Sequence, residues 1–204
     1  MSMRQGPGRD LAQELLAMAA EDEAVRAELV ADGSLFEGYH SRMAEVHRRN
    51  AKRLDAIIDA HGWPGRVLVG EDASQAAFLV LQHAIGSPAV MRRGLPLVQA
   101  AAMDGDVDPV QVAMLEDRIL SFEGKPQRYG TQFDWDEDGL LNPLPIADPA
   151  DVDARRRAVR LDSLAENVAR IRANALRDGH QRPDNPAARQ EVAASWARSV
   201  GWRT

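Results

Sequence analysis

The most versatile side chain for chemistry in this sequence is His83, which interrupts the apolar face of a predicted helix. Ala73, Ala76 and Val80 share that face at helical spacing. An imidazole titrates close to neutral pH, so His83 could act as a general acid–base or as a metal ligand. The alternative is a buried histidine that is hydrogen-bonded to a carbonyl group. We predict that His83 is catalytic and that its neighbour Gln82 contacts the substrate.

A carboxylate and a guanidinium stand side by side in another predicted helix. Asp117 shares an apolar face with Val110 and Ala113. An unpaired carboxylate is costly to bury, so Asp117 must have a partner, and we expect it to orient the imidazole of His83. We expect Arg118 to hold an anionic group of the substrate in a bidentate grip. The alternative is that this pair forms an internal salt bridge.

The polar segment 127–132 provides a third set of candidates, and we predict that it forms a strand. Alternation would place Gln127 and Tyr129 on one face and Gln132 on the other. Amide and phenol groups can fix a ligand or stabilise an oxyanion. We therefore predict that Tyr129 is catalytic and that Gln127 and Gln132 bind substrate. The alternative is a hairpin whose polar groups pin the helices together.

Further polar residues lie on apolar helix faces and could bind a metal ion. Asp22 falls in the stripe of the first helix, and His40, His47 and Asn50 lie close to that of the second. No two histidines have the i,i+3 or i,i+4 spacing that places two ligands on one face beside one ion. We therefore predict no metal and no cofactor, while a metalloprotein that uses His83 with His40 or His47 stays open.

Composition narrows the class of partner. The net charge is -6, so the chain lacks the excess of basic residues that binding to nucleic acids or anionic membranes requires. Cysteine is absent, which excludes disulfides and thiolate zinc sites. The sequence has neither an apolar signal core nor an apolar run long enough to cross a membrane. We expect a cytoplasmic protein that binds a small polar or anionic ligand.

The elements that position these residues are predicted to be mainly α-helical, with one small β-hairpin within residues 127–146. Residues 66–70 are expected to be extended, and the helix that begins at Pro88 is expected to be interrupted or kinked near Pro96. We predict one helical domain over residues 1–161 and a helical extension over 162–204, through which a homo-oligomer could form. The extension contains a linker over 178–186 and a peripheral last helix. Helices are predicted over residues 10–31, 38–60, 73–85, 108–122, 163–176 and 187–200, with a short helix after residue 148.

Several short motifs together resemble the DUF6624 family, a bacterial family to which no activity is assigned. The resemblance extends over about residues 11–161 and implies a shared helical fold, but it implies no reaction. The tail beyond is expected to lie outside the family pattern. The motifs are Gly62-Trp63-Pro64, Gln82-His83-Ala84, Asp117-Arg118, Gln127-x-Tyr129-Gly130-Thr131-Gln132, and Pro145-Ile146 with Val152-Asp153 and Arg156.

Three hypotheses about function follow. The first is an enzyme of hydrolase or lyase type that acts on a small polar metabolite, with His83 as the acid–base and Asp117 as its orienting group. The second is a non-catalytic module of immunity or regulatory type, in which the same groups bind a ligand or a protein. The third is the histidine-based metalloprotein.

Overall fold

A computed structural model of the chain describes residues 7–177 and 182–204. The fold is mainly α-helical with one small two-stranded antiparallel sheet, which confirms the predicted class. Single 3-10 turns lie at Ser34–Glu37 and Pro149–Asp151. In chain order the elements are α1 (Pro7–Ala31), α2 (Ser41–His61), α3 (Arg66–Val69), α4 (Glu71–His83), α5 (Pro88–Met103), α6 (Pro109–Phe122), β1 (Phe133–Trp135), β2 (Leu141–Pro143), α7 (Val152–Ala158), α8 (Leu164–Arg177) and α9 (Pro186–Ser199).

The chain divides into two compact units, Met1–Asp108 and Pro109–Thr204. The first contains α1 to α5, and the second contains α6, the hairpin and α7 to α9. The boundary expected after residue 161 therefore falls inside the second unit, between α7 and α8.

Asp108-Pro109 starts α6 as predicted, because proline is tolerated in the first turn of a helix, where its missing N–H group costs nothing.

In the first unit, α1, α2 and α4 pack against one another around a buried apolar core. Apolar residues recur every three or four positions along each helix, so each presents one stripe to its neighbours. Gly94 of α5 lets that helix approach α4 closely, since a Cβ at this position would lie 2.7 Å from a methyl carbon of Leu81. Fully buried side chains in this core include Leu15, Leu29, Leu54, Ile57, Leu81, Met91 and Val98.

One local prediction for the first unit is wrong, and of the predicted interruption or kink near Pro96 the interruption is wrong, while the kink stays a prediction. Residues 66–69 form one helical turn, α3, rather than an extended segment, and the Asp106 carboxylate accepts a hydrogen bond from the N–H group of Val67. Helix α5 continues through Pro96 without interruption. Proline removes one donor from a helix, but here Met91 and Val98 on either side are fully buried and hold both halves in place.

The C-terminal end of the second unit is part of its core rather than a peripheral addition. Trp202 stacks on Phe122 at a centroid distance of 5.1 Å, and Trp196 meets the edge of the same ring at 5.8 Å. The Arg203 guanidinium donates to the carbonyl oxygens of Ser121 and Phe122, which lie at the unpaired C-terminal end of α6. Part of the predicted linker, residues 178–181, lies outside the described residues.

The predicted strand over residues 127–132 is wrong, because within the described residues the hairpin consists of β1 and β2, and β1 begins at Phe133. Gln127 forms a single isolated bridge with Ile146. Between them the backbone turns at Gly130, whose φ of 71° lies in the left-handed region that favours glycine. The alternation of side chains expected for a strand therefore does not hold for this segment.

Within the described residues, no helix is both long enough and apolar enough to span a bilayer.

Candidate functional site

Three helices of the first unit each bring one polar side chain to the same point of the core. Asp22 lies near the middle of α1, His47 lies on the buried face of α2, and His83 is the last residue of α4. The side chains of Asp22 and His47 are only 1% and 9% exposed, whereas that of His83 is 26% exposed. The cluster is therefore buried, and it is open to solvent on the His83 side.

A single carboxylate oxygen of Asp22 faces both imidazoles. Its Oδ2 atom lies 2.9 Å from Nδ1 of His83, in a hydrogen bond, and 3.2 Å from Nε2 of His47. The second contact is close enough for electrostatic attraction but does not meet hydrogen-bond geometry. The two rings lie 5.0 Å apart between centroids and are tilted by 43°. Asp22, His47 and His83 are called the triad below.

Tyr39 extends the triad on the far side of His47. Its hydroxyl lies 2.8 Å from Nδ1 of His47, and the two rings stack at 5.7 Å. Burial, followed by the negative charge of Asp22, raises the pKa of the Tyr39 phenol above its ordinary value. Tyr39 therefore stays protonated at neutral pH, and its hydroxyl can donate a hydrogen bond to the imidazole or accept one from it.

The protonation of Asp22 follows from its surroundings. Burial acts to raise its pKa, but the close polar contacts with His47 and His83, together with their positive charge, outweigh that effect and lower the pKa well below its ordinary value. Asp22 is then a carboxylate, which can only accept hydrogen bonds. In neutral His83 the proton must lie on Nδ1, which leaves Nε2 with a free lone pair.

Two buried atoms of the triad lack a hydrogen-bond partner among the described residues. They are Oδ1 of Asp22 and Nε2 of His47. Buried polar atoms are almost always paired, because an unpaired one loses its hydration without compensation. The triad is therefore incomplete as a closed structural network.

The carboxylate that orients His83 is Asp22, so the expectation that Asp117 does so is wrong. In the second unit, Asp117 is fully buried and accepts hydrogen bonds from the backbone N–H groups of Arg128, Tyr129 and Thr131 at 2.7–3.0 Å. These bonds satisfy the carboxylate, and they also fix the turn around Gly130. Asp117 is thus a structural anchor of segment 127–132.

The amide groups of segment 127–132 also hold the segment itself. The side chain of Gln127 donates to the carbonyl oxygens of Gln132 and Leu144 and accepts from the N–H group of Gln132. The side-chain amide of Gln132 donates to the Thr131 hydroxyl at 3.1 Å. Buried Arg156 donates to the carbonyl oxygen of Tyr129. The side chain of Gln127 thus holds segment 127–132 together and ties it to the chain at Leu144.

The remaining predicted residues are described by their own surroundings in the two units. The Tyr129 phenol is partly buried, and burial, followed by the charge of Glu116, raises its pKa. Desolvation lowers the pKa of the Arg118 guanidinium. Gln82 is buried beside His83 in α4. His40 lies at the N-terminus of α2, where its Nδ1 accepts from the N–H group of Arg42 at 3.2 Å.

Comparison with known proteins gives one match. A family model described as a family of unknown function, DUF6624, matches residues 9–177. The chain belongs to DUF6624. The matched DUF6624 region contains the whole triad and also α8, which had been expected to lie outside the family pattern. No curated protein and no solved structure matches the chain.

Proposed function

We propose that this DUF6624 protein is an enzyme of hydrolase or lyase type that acts on a small polar molecule, with the triad as its catalytic centre. The observation that carries the proposal is the hydrogen bond of 2.9 Å between a fully buried carboxylate, Asp22, and a partly exposed imidazole, His83. Catalytic imidazoles need such a carboxylate to fix their tautomer and to stabilise the imidazolium that forms.

The proton transfer follows from the tautomer. Nε2 of His83 takes a proton from a water molecule in a hydrolase, or from a carbon atom of the substrate in a lyase. The carboxylate of Asp22 stabilises the resulting positive charge across the Nδ1 hydrogen bond. Nε2 then returns the proton to the leaving group. His47 lies against Asp22 from the other side, and the Tyr39 hydroxyl is hydrogen-bonded to His47.

The proposal of a small ligand is supported by the exposure of His83 and by the net charge of the chain. Only the His83 side of the triad is exposed, which suits a molecule that presents one group to Nε2. A net charge of -6 disfavours a polyanionic substrate such as a nucleic acid. The polar or anionic substrate class proposed from the sequence is retained.

Turnover by the His83→Ala variant tests the proposal. Wild-type protein, His83→Ala and a control at an exposed histidine, His61→Ala, are assayed against chromogenic esters, amides and phosphate esters and against small β-elimination substrates. We expect at least one substrate to be turned over, with a loss of about 100-fold or more in His83→Ala because general acid–base catalysis is removed. Equal rates in all three proteins would contradict the proposal.

A further inference from the structure

We propose that Asp22, His47 and His83 together bind one divalent transition-metal ion. The inference concerns the same triad as the proposed function, but it does not require that the triad be catalytic. Each residue offers one ligand atom, and the three atoms all lie within 4.8 Å of one another. The spacing of histidines along one helix did not indicate this site, because the ligands come from three different helices.

The distances within the triad suit a small ion. Ligand atoms bound at about 2.1 Å from a tetrahedral or octahedral ion stand about 3.0–3.4 Å apart. The Oδ2 atom of Asp22 lies 2.9 Å from Nδ1 of His83 and 3.2 Å from Nε2 of His47. Two of the three ligand separations therefore already match, and the third is within reach of small side-chain rotations.

The two unpaired buried atoms independently indicate a missing ligand. Nε2 of His47 and Oδ1 of Asp22 are buried and lack hydrogen-bond partners among residues 7–177 and 182–204. A cation in the triad would accept the lone pair of His47 Nε2. It would also compensate the negative charge of the Asp22 carboxylate, which is spread over Oδ1 and Oδ2. One bound ion would thus give Nε2 of His47 a partner and lower the cost of burying the Asp22 carboxylate.

The ligand types select the class of ion. Two imidazole nitrogens and one carboxylate oxygen suit zinc, iron, cobalt, nickel and related ions, whereas magnesium and calcium prefer oxygen ligands alone. Three protein ligands leave at least one coordination position for water or substrate. The partial exposure of His83 provides the entry side.

Tyr39 is the positioning residue of this site. If Nδ1 of His47 donates its proton to the Tyr39 hydroxyl, which lies 2.8 Å away, Nε2 carries the lone pair that the ion requires. On the other ligand, the Nδ1 proton of His83 must move to Nε2 or to solvent when the ion binds. The base in the proposed reaction would then be a water molecule on the ion rather than His83.

The test is a metal titration of the tag-free, full-length protein after removal of metals with a chelator. Zn²⁺ binding is measured by calorimetry, Co²⁺ binding by its visible absorption, and Mg²⁺ serves as the comparison ion. The variants are Asp22→Asn, His47→Ala and His83→Ala, with His61→Ala as the matched control because His61 is exposed at the end of α2. Circular dichroism confirms that each variant folds.

We expect one Zn²⁺ and one Co²⁺ per wild-type chain, no comparable binding of Mg²⁺, and at least a 10-fold weaker affinity in each triad variant but not in His61→Ala. Unchanged affinity in the triad variants, or no binding by the wild type, would overturn the proposal. Should a variant fail to fold, the imidazole NMR signals of the wild type decide, because Zn²⁺ must shift those of His47 and His83 and leave those of His61 unchanged.

The outcome is separable from that of the proposed function. Turnover by chelator-treated protein that binds no Zn²⁺ would overturn the metal site and leave the His83 mechanism standing. Specific Zn²⁺ binding without turnover of any substrate would support the metal site and count against the enzyme.

Discussion

Oδ2 of Asp22 lies 2.9 Å from Nδ1 of His83, although the two residues are 61 positions apart in the chain. The contact exists because α1 and α4 pack against each other through their apolar faces and each helix places one polar residue in that face. A fold that served stability alone would gain more from an apolar pair here, since a buried charge loses its hydration. This cost of burial supports the proposal that the pair serves a function.

Replacing Tyr39 with phenylalanine should weaken metal binding while leaving the ligands in place. The change removes the hydroxyl that lies 2.8 Å from Nδ1 of His47. Removal of such an outer partner typically weakens metal affinity by about 10–100-fold. Calorimetric Zn²⁺ titrations of Tyr39→Phe and Tyr129→Phe check this. A loss of affinity in Tyr129→Phe that equals the loss in Tyr39→Phe would count against the specific role of Tyr39.

Replacing Asp117 with asparagine should destabilise the protein without affecting metal binding. The asparagine keeps one acceptor oxygen but turns the other into an N–H donor that faces backbone N–H groups. We expect a loss of about 1–3 kcal/mol in the free energy of unfolding, the cost of leaving buried donors unpaired. Urea unfolding measures it, with exposed Asp184→Asn as the control. An equal effect of the two substitutions would refute the anchoring role.

Replacing Gly130 with alanine should cost more than the same change at Gly201. Both glycines have a left-handed φ, of 71° and 91°. A Cβ at Gly130 would lie 2.7 Å from Leu164 and 2.9 Å from Ile146, whereas a Cβ at Gly201 meets nothing within 4 Å. The strain of about 1–2 kcal/mol is common to both, and overpacking adds about 1–3 kcal/mol only at Gly130. Equal unfolding free energies would show that the close packing at Gly130 is absent.

Replacing Trp202 with alanine tests whether the C-terminal end belongs to the core of the second unit. Trp202 is buried and stacks on Phe122. We expect a loss of about 3–5 kcal/mol in the free energy of unfolding, typical of removing a buried aromatic side chain. The control Val192→Ala, at an exposed position of α9, should change it by less than about 0.5 kcal/mol. A small effect of Trp202→Ala would restore the prediction of a peripheral last helix.

Much of the fold was predictable because helices depend on local pattern. The stripe of α2 repeats every three or four residues, and the Asp108-Pro109 start of α6 is a local signal. The strand predicted over residues 127–132 does not form, because backbone N–H groups of this segment are hydrogen-bonded to a side chain that is distant in sequence instead of to a neighbouring strand. The carboxylate of Asp117 takes up N–H groups that a strand partner would otherwise bind.

The candidate site was only half predictable. His83 was identified because an imidazole interrupted an apolar face, and the same signal was present at Asp22 and His47. What the sequence could not show is which polar residues meet, because this depends on the packing of α1, α2 and α4. Asp117 carried the same signal as Asp22, yet its partners are backbone N–H groups of its own unit. One polar residue on an apolar face therefore predicts a buried partner but not its identity.

The most direct test of the triad is long-range ¹H–¹⁵N correlation NMR of the imidazoles in metal-free protein. With the Asp22 carboxylate between the two rings, His83 should be protonated at Nδ1, and Asp22→Asn should shift the ring nitrogens of both His47 and His83 while those of His61 stay unchanged. A His83 protonated at Nε2 alone, with both rings indifferent to Asp22→Asn, would contradict the account.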